Sequence, residues 1–247
     1  MIDPNLPSWT QPRTERPRPL SSLVRRVSWA FMAMLSSAVA LVSYRYLAKA
    51  GPVPVTIAAN AHVNPWLVIH ATGAATALFV GPWQFLPVLR RRQTAAHRMC
   101  GQIYVAGCVT GGTAALVLAT GVSAGPIAGT GFSLLGIAWI AATIFAVREI
   151  LAQRVSSHRR WMIRSFALTL SAVTLRLYLP TSFQLGLDPV LSYRVISWAC
   201  WLPNMVLAEL YLTFSNADAI PWTTNRSNLH AGLHHWRNGF PRTCDCE

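Results

Sequence analysis

The sequence predicts an all-α integral membrane protein built as a bundle of six transmembrane helices. Of its 247 residues, 53% are hydrophobic and only 12% are charged, whereas about a quarter of a soluble domain is charged. The apolar residues form six runs, each long enough for a helix to cross a hydrocarbon core of about 30 Å. Basic residues gather in alternate connections, as expected where positive charge sets the topology.

The net charge of +13 is also explained by the role of basic residues in membrane topology. In a soluble chain this charge would indicate a nucleic-acid partner, but here the basic residues border apolar runs and meet anionic headgroups. The expected partner is therefore the lipid bilayer and not nucleic acid. The composition does not identify which cellular membrane holds the chain.

The predicted elements divide the chain into three parts. Residues 1–26 are rich in Pro and Arg, which predicts a disordered, basic N-terminal tail. Residues 27–214 form the transmembrane domain, and residues 215–247 form a polar C-terminal tail. The predicted spans cover about residues 28–48, 65–87, 98–120, 131–152, 159–180 and 191–214. The first is too long for the apolar region of a cleaved signal peptide, so we expect it to be retained.

The distribution of Lys and Arg predicts that both termini are cytosolic. All but four of the 21 Lys and Arg residues fall on the side of the two tails and of the second and fourth connections. The four exceptions are Arg45, Lys49, Arg176 and Arg194. Two of the basic turns end in His-Arg at a helix start, His97-Arg98 and His158-Arg159. This pattern is consistent with a duplicated two-helix unit, as in other membrane folds.

The stretch from His158 to Pro180 carries the most functional information. At 100° per residue, His158, Ser165, Thr169 and Arg176 fall on one face of a helix. A polar stripe along a whole membrane helix must face other helices or a wet cavity, because lipid cannot satisfy it. Similar faces occur in the second predicted helix, with His70 and Gln84, and in the third, with His97, Tyr104 and Cys108.

Depth separates the polar residues into two groups. Gln84, His97, His158, Arg164 and Glu209 lie near the cytosolic surface, and His70 and Arg176 lie near the opposite one. Glu209 is one of only eight acidic residues, and an ionised carboxylate in a membrane helix costs about 2.5–3.5 kcal/mol. We therefore expect Glu209 to pair with a cytosolic-side Arg or His, or to be protonated. Pro203 disturbs the same helix, a common irregularity beside a site.

The cysteines and histidines predict no metal site. The five Cys residues form no disulfide framework, and Cys100, Cys108 and Cys200 lie in apolar segments as small hydrophobic residues. The C-terminal tail contains His230, His234, His235, Cys244 and Cys246. Their spacing matches no zinc signature.

Three segments resemble a known family. The stretches HATGAATALFVGPWQF, HRMCGQIYVAG and above all HRRWMIRSFALTLSAVTLRL resemble the domain-of-unknown-function 2306 family of predicted multi-pass membrane proteins. The resemblance covers about residues 60–215. It implies the membrane architecture and brings no assigned reaction, but it raises interest in His70, His97, His158 and Arg176, which lie in the matching segments.

The first functional hypothesis is a membrane-embedded enzyme that needs no cofactor. It would hydrolyse, isomerise or cyclise a lipophilic small molecule, such as a terpenoid, a polyketide or a lipid. His97, His158 and Glu209 are the candidate catalytic acids and bases. The candidate substrate-binding residues are His70, Gln84, Tyr104, Arg164 and Arg176, and one of the two arginines would hold an oxyanion or an acidic headgroup. The sequence contains no recognisable nucleophile motif.

Two alternatives remain open. A b-type haem protein similar to cytochrome b561 would use His97 and His158 as iron ligands, although that group has two His pairs on four helices. A transporter or a non-catalytic scaffold is the other alternative, and a homo-oligomer would compensate for its small size.

Overall fold

The computed structural model describes residues 19–48, 50, 51, 53 and 55–217, and all regular structure in this part of the chain is helical. Six helical segments are long and apolar enough to cross a membrane: Leu23–Tyr46, Val63–Phe85, Thr94–Thr120, Pro126–Leu151, Val155–Gln184 and Pro189–Ser215. We number them spans one to six. They confirm the predicted all-α fold and the six predicted spans to within a few residues at each end. The cytosolic location of the termini stays a prediction.

The helices that build these spans are α1 (Pro19–Ser43), α2 (Val55–Ala58), α3 (Val63–Val80), α4 (Pro87–Arg92), α5 (Thr94–Thr120), α6 (Pro126–Leu151), α7 (Val155–Thr169), α8 (Ser171–Gln184), α9 (Pro189–Ala199) and α10 (Leu202–Ala217). Single 3-10 turns, Tyr44–Tyr46 and Pro82–Phe85, complete spans one and two. Helix α1 begins inside the predicted N-terminal tail, whose residues 1–18 lie outside the described part. Of the predicted C-terminal tail, residues 218–247 lie outside it.

Spans five and six are each interrupted near the middle of the membrane. The sequence predicts one continuous helix over 159–180, whereas the structure has a break at Leu170. Span six breaks after Ala199, one turn before Pro203. At the second break the Cys200 carbonyl accepts hydrogen bonds from the Thr174 hydroxyl at 2.6 Å and from the Asn204 amide at 3.2 Å. Side chains therefore satisfy the freed backbone, as a bilayer requires.

Neighbouring spans pack in an antiparallel order around a common interior. Helix α1 packs on α3, α3 on α5, α5 on α6 and α6 on α7, while α8 returns to α1. Helix α9 packs outside this ring against α6 and α8. We call the end that holds Arg90, Arg98, Arg154 and Arg159 the basic end and the opposite end the far end. The chain forms one compact unit to Leu210. From Tyr211 a second unit begins, whose described residues continue α10 to Ala217.

The closest helix packing joins α3 and α5 through three glycines. A Cβ atom at Gly73 would lie 2.7 Å from the Gly111 nitrogen, and one at Gly107 would lie 2.7 Å from the Gly73 carbonyl oxygen. Backbone fills this space on both sides, so only glycine allows the approach. The contact brings His70 of α3 beside the backbone of α5.

We expect Gly107→Ala to lower the free energy of unfolding by about 1–3 kcal/mol, the usual cost of overpacking a filled interior. The new methyl group would meet backbone atoms, which cannot move aside as a flexible side chain can. Chemical denaturation of the purified protein in detergent measures the loss. Gly101→Ala on the same helix is the control, since its Cβ would meet nothing within 4 Å. Equal stability of the two variants would contradict this account of the α3–α5 contact.

Candidate functional site

A cavity of about 550 Å³ lies inside the bundle, toward the far end. This volume is in the range of small-molecule sites, roughly 300–1,000 Å³. Residues from all five ring spans line it, together with Tyr193 and Cys200 from span six. Most of the lining is alanine, leucine and valine. The polar lining residues are Ser43, Arg45, Tyr46, Asn60, His70, Thr169, Ser171, Arg176 and Tyr193.

His70 lines the cavity with a fixed ring. Its Nδ1 lies 2.9 Å from the carbonyl oxygen of Gly111, which can only accept a hydrogen bond. Nδ1 therefore carries the proton, and in the neutral ring Nε2 keeps a free lone pair. Among the residues that the structure describes, Nε2 has no hydrogen-bond partner. The ring is thus oriented by one nitrogen and left with an acceptor at the other.

Arg176 lines the same cavity at a similar depth. His70 and Arg176 each lie about two helical turns from the far end of their spans, and they are within electrostatic range of each other. One terminal nitrogen of Arg176 donates to the Ala172 carbonyl at 3.0 Å. Ala172 lies one turn closer to the membrane centre, so the guanidinium group does not reach toward the far surface, as a snorkelling side chain would.

A network of hydroxyl groups closes the inner end of the cavity. The Tyr104 hydroxyl lies 2.9 Å from both Ser165 Oγ and Thr169 Oγ1. The Trp139 indole donates to Thr169 Oγ1 at 2.9 Å, and Thr143 Oγ1 lies 2.7 Å from Ser165 Oγ. These five buried residues, which we call the hydroxyl network, join spans three, four and five. Trp139 and Thr169 also line the cavity, so the network forms its floor.

Two residues predicted to act in the site meet at the basic end instead. With its amide oriented to suit both neighbours, Gln84 donates from its nitrogen to His97 Nδ1 at 2.7 Å. Its oxygen then accepts from the Gly101 backbone N–H at 3.2 Å. This pairing links spans two and three next to the basic turns. It directs Nδ1 of His97 toward Gln84 as an acceptor, which leaves the ring proton on Nε2.

His158, Arg164 and Glu209 also lie at the basic end. His158 Nδ1 is 2.8 Å from the Ala146 carbonyl oxygen, which ties α7 to α6. Arg164 forms a two-pronged ion pair with Glu209, with nitrogen–oxygen distances of 2.5 and 2.9 Å. The guanidinium group of Arg164 also stacks over Trp161, 4.8 Å from the ring centre. The expectation that Glu209 pairs with a basic residue is confirmed, while the cytosolic location of the pair stays a prediction.

The structure therefore separates the predicted site residues. It places His70 and Arg176 on the cavity and Tyr104 in its floor. It does not bring Gln84, His97, His158, Arg164 or Glu209 to the cavity. The catalytic roles assigned to His97, His158 and Glu209 stay predictions.

Sequence reasoning missed several lining residues. Arg45, Tyr46 and Asn60 contribute to the cavity, yet they precede the stretches that carried the family resemblance. The available signal was charge, because Arg45 and Arg176 both depart from the basic-side pattern. Within the described residues, no group of three or more His, Cys, Asp or Glu could hold a metal ion. The tail histidines and cysteines considered in the sequence analysis lie outside that part.

The chain is similar to a known protein family. A family model described as a predicted membrane protein (DUF2306) matches residues 67–212. No curated protein and no solved structure matches the chain. The matched range contains His70, Arg176 and the whole hydroxyl network, while Arg45, Tyr46 and Asn60 precede it.

We expect Tyr104→Phe to lower the free energy of unfolding by about 1 kcal/mol, a typical value for hydrogen bonds between membrane helices. The substitution keeps the ring and removes the hydroxyl that links Ser165 to Thr169. Thermal or chemical unfolding in detergent measures the change. Tyr178→Phe is the matched control, because that ring is 38% exposed on span five. A Tyr104→Phe protein as stable as the control would show that the network does not hold the spans together.

Proposed function

The chain belongs to the DUF2306 family of predicted membrane proteins. We propose that it is a membrane-embedded enzyme that acts on a lipophilic small molecule inside the cavity. The observation that carries this proposal is the placing of His70 and Arg176 together on a largely apolar cavity. Ligand sites of this kind combine apolar walls with a few polar groups that orient the ligand. The bilayer association itself follows from the six spans.

The chemistry assigned to His70 is proton transfer. Nε2 accepts a proton from the substrate, and the Gly111 carbonyl holds the ring in place through Nδ1–H. The electron pair left behind moves onto a substrate oxygen, whose negative charge Arg176 stabilises. Return of the proton to another atom completes an isomerisation or a cyclisation without any co-reactant, whereas a hydrolysis would also consume water.

A lipophilic substrate has a route into the cavity from the bilayer. Val42 on α1 lines the cavity although its side chain is 57% exposed on the outside of the bundle. Pro180 on α8 is likewise both a lining residue and exposed. Since α1 packs against α8, the cavity reaches the lipid-facing surface between these two helices. This supports an apolar molecule that comes from the membrane.

A b-type haem protein is the second candidate, favoured by one observation and opposed by another. His158 donates from Nδ1 to the Ala146 carbonyl, as iron-ligating histidines commonly do. His97 accepts at Nδ1 from Gln84, which leaves the proton on the nitrogen that would bind iron. An absorption spectrum of the purified protein before and after dithionite tests this candidate. A Soret band with sharpened α and β bands on reduction would favour haem over the enzyme without a cofactor.

Extraction of the purified protein tests occupancy of the cavity. We expect solvent extracts of the full-length protein, analysed by liquid chromatography and mass spectrometry, to contain a bound lipophilic compound. Ala115→Trp fills the cavity from α5 and should abolish that compound. Ala106→Trp on the exposed side of the same helix is the control and should retain it. Equal amounts in both variants would place the compound outside the cavity.

His70→Asn tests the chemistry separately. The Asn amide can still donate to the Gly111 carbonyl, but the base at Nε2 is gone. We expect the variant to carry an unprocessed compound that differs in mass or retention time from that of the wild type. His62→Asn is the control, since His62 is exposed and does not line the cavity. An identical compound in His70→Asn and wild type would favour a transporter or a scaffold over the enzyme.

A further inference from the structure

The cavity carries positive charge from two arginines. Arg45 and Arg176 both line it, and no Asp or Glu among the described residues does. Within the described residues the ion pairs are those of Arg154 with Glu149 and of Arg164 with Glu209. Asp188, near the far end, caps α9 by accepting from the Leu191 N–H at 2.6 Å. No ion pair within the described residues thus neutralises the guanidinium group of Arg45 or of Arg176.

The two arginines have most of their hydrogen-bonding capacity left. A guanidinium group carries five N–H donors. Arg176 uses one terminal nitrogen on the Ala172 carbonyl, and Arg45 contacts the Tyr46 hydroxyl at 3.3 Å and stacks over its ring. Arg176 is within electrostatic range of both Arg45 and Tyr46. The remaining donors have no acceptor among the described residues, and their planar arrangement suits a carboxylate or a phosphate.

Binding to ordinary phospholipid headgroups at the membrane surface would explain the charge of Arg45 but not that of Arg176. Arg45 lies in the 3-10 turn that ends span one, where a basic side chain can reach the membrane surface. Arg176 lies about two turns inside its span, and its bond to Ala172 turns it toward the membrane centre. A charge held there in a bilayer is typically functional. The partner of Arg176 is therefore expected inside the cavity.

The opposite end of the cavity offers a ligand few free hydrogen-bond donors, because the hydroxyl groups of Thr169 and Ser171, which line it, donate to backbone carbonyls. Thr169 Oγ1 donates to the Ser165 carbonyl at 3.0 Å and accepts from Trp139 and from Tyr104, each at 2.9 Å. Its hydrogen-bonding capacity is therefore used within the protein. Around it the lining is apolar, with Leu78, Leu135 and Leu168 among the wall residues. Polarity thus falls from the arginines at the far end to the floor at mid-membrane.

We propose that the cavity binds a single-chain amphiphile with an anionic oxygen headgroup, a carboxylate or a phosphate. The headgroup lies between Arg45 and Arg176, and the chain extends toward the hydroxyl network. His70 is then positioned beside the first atoms of the chain. The volume of about 550 Å³ suits one chain rather than two. This inference rests on the proposed function, because it names the substrate class of the same cavity.

Binding to the full-length protein in phosphatidylcholine nanodiscs tests the inference with four probes. Palmitate and hexadecyl phosphate carry the two anionic headgroups on one chain, hexadecanol is the neutral control, and phosphatidic acid carries the phosphate on two chains. We expect one of the single-chain anions to bind at least about tenfold more tightly than hexadecanol, as charge-assisted bidentate bonds allow. The tighter of the two anions identifies the headgroup. Phosphatidic acid should bind more weakly than hexadecyl phosphate.

Two variants assign the selectivity to the cavity. Arg176→Gln should weaken the anions by about tenfold and leave hexadecanol nearly unchanged. Arg194→Gln is the matched control, because Arg194, in span six, also lies near the far end but donates to the Ala124 carbonyl and does not line the cavity. It should leave all four probes unaffected.

Several results would overturn the inference while the proposed function stands. The inference is wrong if hexadecanol binds as tightly as both anions, or if Arg176→Gln weakens the binding of every probe equally. It is also wrong if phosphatidic acid binds as tightly as hexadecyl phosphate. The same holds if no probe binds while Ala115→Trp still removes the co-purifying compound. Failure of the proposed function looks different. In that case Ala115→Trp and Ala106→Trp would carry the same extracted compounds.

Discussion

Tyr104, Ser165 and Thr169 share hydrogen bonds in a part of the bundle where neither water nor lipid headgroups can replace them. In a bilayer a buried hydroxyl group must find a partner within the protein. The hydroxyl network meets this requirement between three spans at once, with Trp139 and Thr143 contributed by α6. It thereby fixes the mutual rotation of spans three, four and five. The position and the closed floor of the cavity depend on this arrangement.

The two arginines of span five show how structural and functional charges differ. Arg164 lies at the basic end, where Glu209 neutralises it and Trp161 covers it. Arg176 lies on the cavity, and its hydrogen-bond partner among the described residues is a backbone carbonyl of its own helix. The first arrangement is complete and ties span six to span five. Arg176 keeps unused N–H donors and its positive charge beside a largely apolar cavity. For this reason we place a ligand beside Arg176.

The spans could be predicted because hydrophobic run length and the positions of Gly, Pro and Arg are local properties of the chain. The polar stripe of span five was also predictable, and Ser165, Thr169 and Arg176 all face the protein interior. The sequence could not show that the residues of this stripe have three different roles. His158 bonds to α6, Ser165 and Thr169 belong to the hydroxyl network, and Arg176 lines the cavity. That division depends on the break at Leu170 and on the rotation of neighbouring helices, which long-range packing decides.

The missed residue with the largest consequence is Arg45. Its position at the end of an apolar run suggested a topological charge, because nothing local distinguishes it from an interfacial arginine. Only the packing of span one against α3 and α8 brings it to the cavity that Arg176 also lines. In contrast, the pairing of Glu209 was foreseeable from cost alone, since an unpaired carboxylate in a membrane helix is strongly unfavourable.

The central claim is that the interior cavity holds an amphiphile from the membrane, and site mapping with a photoreactive lipid tests it most directly. A fatty acid with a mid-chain diazirine is crosslinked to the full-length protein in membranes, and the modified residues are identified by mass spectrometry. We expect labels on cavity-lining residues near the floor, such as Leu78 of α3 and Leu168 of α7, that excess unlabelled fatty acid suppresses. Labels confined to outward-facing residues such as Leu177 and Leu207, and insensitive to competition, would contradict it.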